Sequence, residues 1–98
     1  MEINKYTAEE MGLTIPTIHL NGTSRESLVS QYADAASAVN TGIRALCENG
    51  PNARDYYVTG MGTFEKAVAE HVARIAKMQE VLNELHALMY ACEDNDDD

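Results

Sequence analysis

Between Asn52 and Tyr57 the chain sets an amide, a guanidinium, a carboxylate and two phenols within six residues, NARDYY. Arg54 can clamp a phosphate through paired N–H donors or stack on a base, while Tyr56 and Tyr57 offer aromatic faces and hydroxyls. With Asn52 beside them, these side chains suit non-covalent recognition of a small phosphate-bearing molecule. The competing account is structural: an Arg54–Asp55 pair and a tyrosine packed on a helix end. A second polar group, His19-Leu-Asn-Gly-Thr-Ser24, joins His19, Asn21, Thr23 and Ser24 to a helix N-terminus, whose unpaired N–H groups favour an anion. An ordinary N-cap turn explains the same residues.

Other chemistries find less support. His19, His71 and His86 and the two cysteines, Cys47 and Cys92, show neither C-x-x-C nor H-x-x-x-H spacing, so no metal site is expected. Neither cysteine has a histidine at a fixed helical offset, which argues against a thiolate nucleophile. Gly60-Met-Gly62 precedes a helix and could face an anion, but glycines at a helix entrance also simply serve the turn. His71 interrupts an apolar stripe. It reads as a buried switch or metal ligand, or as a core histidine hydrogen-bonded to a neighbour that fixes helix register. The expectation is a protein that is not an enzyme and needs no cofactor.

Long helices must position these groups. Phe64, Val68, His71, Ile75, Met78, Leu82, Leu85, Met89 and Cys92 recur at alternating steps of four and three, a heptad seam over Thr63–Cys92 about 45 Å long. Leu28, Tyr32, Ala35, Val39, Ile43 and Leu46 make a matching stripe on an earlier helix over about 24–49. Thr23-Ser-Arg-Glu26 reads as its capping box, and Asn49-Gly50-Pro51 as its stop. Gly42 is costly in a helix by about 1 kcal/mol against alanine, so close packing is the expected reason for it. Residues 52–62 link the two helices. Val72, Val81 and Leu88 widen the second stripe beyond a two-stranded seam, which favours a bundle of four or more helices.

Residues 1–22 form an arm. Thr7-Ala-Glu-Glu10 is another capping box, and Gly12 a stop for one helical turn. Leu13–Leu20 then nearly alternates, with Ile18 and Leu20 on one side and Thr17 and His19 on the other. Pro16 lacks an N–H and confines this stretch to an edge strand or an unpaired extended segment. The fold class is therefore all-α: an antiparallel two-helix hairpin with a short extended N-terminal arm, oligomerising into a helical bundle. Residues 93–98 read as a disordered acidic tail that opposes the helix dipole.

The totals set further bounds. Ninety-eight residues make one domain, and two long helices cannot enclose a core by themselves, so a homo-oligomer, a dimer or larger, is expected. A net charge of −9 with seven scattered basic residues excludes a phosphate-neutralising stripe for duplex nucleic acid. No apolar run approaches the ~20 residues that cross a bilayer, and MEINKYTAEE lacks signal-peptide regions. Cys47 and Cys92 fall at opposite ends of an antiparallel hairpin, too far apart to bridge, which points to a reducing cytoplasm.

Taken together, T-I-P-T-I-H-L-N-G-T-S (14–24), Q-Y-x-D-A (31–35) and P-N-x-R-D-Y-Y-V-x-G (51–60) resemble an uncharacterised family of short tailed-phage and prophage proteins. The resemblance spans nearly the whole chain. It implies viral origin and a place in the host bacterial cytoplasm, and carries over no activity and no functional residues. By analogy with small viral accessory proteins, the leading expectation is an anti-defence sponge that sequesters a signalling (cyclic) nucleotide. The alternatives are an acidic inhibitor of a host or defence protein, and a structural or assembly component of the phage.

Overall fold

The computed structural model describes residues 7–94. Two long helices, α1 (Arg25–Glu48) and α2 (Thr63–Glu93), pack against each other along a rod of 63 × 23 × 23 Å. Between them lie two short 3₁₀ turns, Ala53–Asp55 and Tyr57–Thr59. Among the described residues there is no strand.

The pairing is antiparallel. Tyr32 lies by Cys92, Gly42 by Met78 and Leu46 by His71, so partners descend α2 as α1 ascends. All nine seam positions of α2 are buried or half-buried, as are the six stripe positions of α1. The centre of the core is Ala36, Ile43 and Leu82, with Val39, Ile75, Met78 and Leu85 packed around it. Small residues let the helices close there. A Cβ built at Gly42 would stand 3.0 Å from Met78 Cε, which is the close packing that glycine permits. Of the three flanking residues, Leu88 is half-buried while Val72 and Val81 remain exposed.

The helix ends show which side chains take the orphan backbone groups. Ser24, not Thr23, caps α1: its Oγ accepts from the Ser27 N–H at 3.1 Å. The expected Thr23–Glu26 box is thus shifted by one residue, and the position three beyond the cap holds a serine that is too short to answer back. At the far end Gly50 follows the cap residue Asn49, yet its φ is not positive. Pro51 has no N–H for the bond that closes a left-handed stop, so the Asn49 side chain donates to Ala45 O instead, at 2.7 Å. α2 starts from Gly62 at φ 85° with no side-chain cap.

The arm holds a single capped turn. The Thr7 N–H donates to Glu10 Oε1 at 2.9 Å, and the Glu10 N–H donates to Thr7 Oγ1 at 3.1 Å, a reciprocal capping box. Gly12 at φ 76° ends it; the Leu13 N–H reaches Ala8 O and the Gly12 N–H reaches Glu9 O, each at 3.0 Å. Those two bonds are a Schellman stop. Residues 13–18 then run as neither helix nor strand, with Leu13, Ile15, Pro16 and Ile18 half-buried and Thr14 and Thr17 exposed. Leu20 departs from the expected alternation and is 97% exposed, because the turn closed by the Gly22 N–H and His19 O at 3.1 Å has already begun.

Ala87 lies two residues from both Leu85 and Met89, roughly 160° around α2 from the seam, yet it is only 2% exposed. α1 cannot cover that side. In the N-terminal segment Ala8 is likewise buried, at 1% exposure. The tail assigned to 93–98 needs one correction: Glu93 is still helical and Asp94 is its cap, donating to Tyr90 O at 2.9 Å. The remaining tail, 95–98, and arm residues 1–6 lie outside the described residues.

Candidate functional site

The loop at the closed end of the hairpin divides its polar residues between structure and display. Asn52 turns inward on its own backbone, its Oδ1 accepting from the Arg54 N–H at 3.1 Å, and so caps the first 3₁₀ turn. Tyr56 is half-buried, its ring 6.2 Å from that of Phe64 and tilted by 47°. Its carbonyl accepts from Thr59, through the amide at 3.1 Å and the hydroxyl at 2.7 Å. Tyr56 therefore anchors the loop on the start of α2. Arg54 and Tyr57 point to solvent, Tyr57 at 78% exposure.

At the open end, His19, Asn21, Thr23 and Ser24 are all exposed. Ser24 is occupied as the α1 cap. The His19 ring folds over the turn: a Cβ built at Gly22 would meet its Nε2 at 2.7 Å, so glycine is what lets the ring lie there. Asn21 and Thr23 stand free for contact beside it. The structure thus gathers Asn52, Arg54, Tyr56 and Tyr57 at one end and His19, Asn21, Thr23 and Ser24 at the other. The 24 residues of α1 separate the groups by about 36 Å. One chain does not bring them together.

Two features escaped the sequence reading. Val58 and Met61 sit beside Tyr57 with their side chains in solvent, Met61 wholly so, giving the tip an apolar surface next to Arg54. Apolar residues in a glycine-flanked loop were the available signal. The second feature is a shallow groove of about 220 Å³ on one side of the rod, lined by Ala33, Ala36 and Asn40 of α1 and by Leu82, His86 and Met89 of α2. Its signal was the spacing of 33, 36 and 40.

His71 Nε2 lies 2.7 Å from Leu46 O, which makes it a cross-helix hydrogen-bonding residue. Burial raises the Cys92 thiol above its ordinary pKa; the same cause, with Cys92 adding to it, raises the Tyr32 hydroxyl. A thiol held neutral and fully buried is a poor nucleophile. Cys47 is free and exposed. Among the described residues no three His, Cys, Asp or Glu side chains converge on a metal position, and no helix is long and apolar enough to cross a membrane.

No family model matches the chain, and neither curated proteins nor solved structures include a match.

Proposed function

We propose that the protein is a phage-encoded, non-catalytic binding protein of the bacterial cytoplasm that works as an oligomer and sequesters a small phosphate-bearing ligand, a signalling cyclic nucleotide foremost. The observation that carries this reading is the placement of its free polar groups. Arg54 and Tyr57 are displayed at the closed end, and Asn21 and Thr23 at the open end, a helix length away. An antiparallel pair of hairpins sets the closed end of one chain against the open end of the next. Each junction then combines a guanidinium, a phenol, an amide and a helix N-terminus, a donor-rich crevice suited to a phosphate and a base.

The test is calorimetric titration with a panel of cyclic di- and trinucleotides, beside mass spectrometry of small molecules that co-purify from bacterial lysate. Arg54→Ala, Tyr57→Ala and Asn21→Ala should each weaken binding at least tenfold. Absence of binding across the panel, or binding indifferent to all three changes, ends the reading.

A second reading draws on Tyr57, Val58 and Met61, whose exposed side chains form an apolar tip on a chain of net charge −9. Such a tip suits an inhibitor that occludes a basic host or defence protein. Salt-sensitive capture of one host protein, lost in Tyr57→Ala, would favour it over nucleotide sequestration.

A further inference from the structure

Two stripes outside the main seam share one side of the rod. On α2, Val72, Ala76, Gln79, Asn83, His86 and Tyr90 follow each other at steps of four and three, a second heptad register without Asp, Glu, Lys or Arg. The charges of the same span, Arg74, Lys77, Glu80 and Glu84, follow another face. On α1, Val29, Ala33, Ala36 and Asn40 keep the same steps, again without charge. The groove described above joins the stripes, since Ala33, Ala36 and Asn40 line one wall and His86 the other. The face is open: Val72 is 59% exposed, and Ala76, Gln79, Asn40 and Tyr90 are exposed.

The exposed area of the chain leaves room for a partner of its own size. The chain exposes 7250 Å², whereas a compact monomer of 10.8 kDa exposes about 5,500 Å². That surplus of about 1,700 Å², spread over the whole elongated chain, exceeds the ~800 Å² per partner that a standard interface buries. Depletion of charge is what distinguishes the middle of such interfaces. The small residues of α1 leave room in the groove for a facing helix, at the 8–10 Å spacing common to packed helices.

We infer that a second copy of this chain docks on this face, antiparallel about a two-fold axis near Gln79 and Asn83, to make a four-helix bundle. The antiparallel sense follows from the ends. Leu20 is exposed at the open end, and Tyr57, Val58 and Met61 at the closed end, so this arrangement sets each apolar end of one copy against the opposite end of the other, as the proposed junction requires. The inference rests on the preceding reading that the protein works as an assembly, and adds which surface assembles it.

Sedimentation of the full chain at about 100 µM tests both. The wild type should run at twice its 10.8 kDa mass or more. Asn40→Lys with Gln79→Lys, both at exposed positions, should give a monomer of unchanged helicity. Thr41→Lys with Ala73→Lys, exposed positions off the face, should leave the assembly intact. A wild-type monomer overturns this interface and the assembly reading together. A double variant at 40 and 79 that stays assembled overturns the interface alone. A nitroxide on Gln79→Cys in a Cys47→Ser background checks the face without added charge. It should lie closer to its counterpart in the partner copy than a nitroxide on Ala73→Cys does, and the reverse order also overturns the interface.

Discussion

His71 Nε2 stands 2.7 Å from the carbonyl oxygen of Leu46, bridging the one polar position in the α2 seam to the last turn of α1. A carbonyl can only accept, so Nε2 carries the proton and the ring is held in that tautomer. The same carbonyl accepts the Asn49 N–H at 3.2 Å, so two donors converge on this one oxygen at the C-terminal end of α1, whose last turn holds no basic side chain. His71→Ala removes one donor and opens a gap in the seam. Urea denaturation should show a loss of about 1–3 kcal/mol. Retained stability would mean that water or a neighbour fully replaces the ring.

Gly42 tests how closely the helices must approach. The atom that a new Cβ meets is the terminal methyl of Met78, the far end of a flexible side chain. Gly42→Ala should therefore change stability by under about 1 kcal/mol, as helix propensity offsets the adjustment of Met78. Gly42→Leu cannot be accommodated this way and should cost about 1–3 kcal/mol. Thermal melts of the two variants should separate clearly.

The thiols should differ in reactivity and in their bearing on pH. Cys47 is exposed and should react at once with a disulfide reagent, while Cys92, fully buried, reacts only as the fold opens. Burial raises the folded-state values of both Cys92 and Tyr32, so both are kept neutral in the native chain. Their contribution to stability is complete below the unfolded thiol value of about 8.5 and declines as pH rises through the higher folded-state values. Denaturation midpoints should hold from neutral pH to about 8 and fall above it. Cys92→Ala should lessen that alkaline decline, and an unchanged slope would count against the burial account.

Glu93 and Asp94 close α2 at the negative end of its dipole, with no basic residue in the last turn. Glu93→Gln with Asp94→Asn should raise stability by about 0.3–1 kcal/mol at low ionic strength. The gain should vanish in 1 M salt, where the Debye length is about 3 Å. A gain that survives high salt would point to packing rather than charge.

The two helices were legible because one rule governs them: Phe64 to Cys92 and Leu28 to Leu46 carry an apolar period that only paired helices satisfy. Their bounds came within about a residue, as did the arm's helical turn, since Thr7, Glu10 and Gly12 each have one local partner. The cap of α1 was misplaced because Thr23 and Ser24 are chemically equivalent as caps, and the choice depends on backbone angles that composition does not encode. Leu20 was misread because a turn overrides alternation. In the candidate site, sequence located the polar groups but not their division of labour. Nothing in NARDYY says that Asn52 caps its own turn and Tyr56 packs by Phe64 while Arg54 and Tyr57 face out; the two 3₁₀ turns decide that.

The N-terminal turn carries a consequence of its own. Among the described residues, the backbone bonds that close it fall between Thr7 and Leu13, and the link to Asn21 brings no ladder of partners with it. It behaves as a bead on a cord: its hydrogen bonds are its own, but a lone turn could not bury Ala8 to 1% exposure by itself. Lengthening the cord would cost it only loop entropy, about 0.6 kcal/mol for each doubling. The bead can therefore be re-tied at a new length, so long as the surface that buries Ala8 stays within reach.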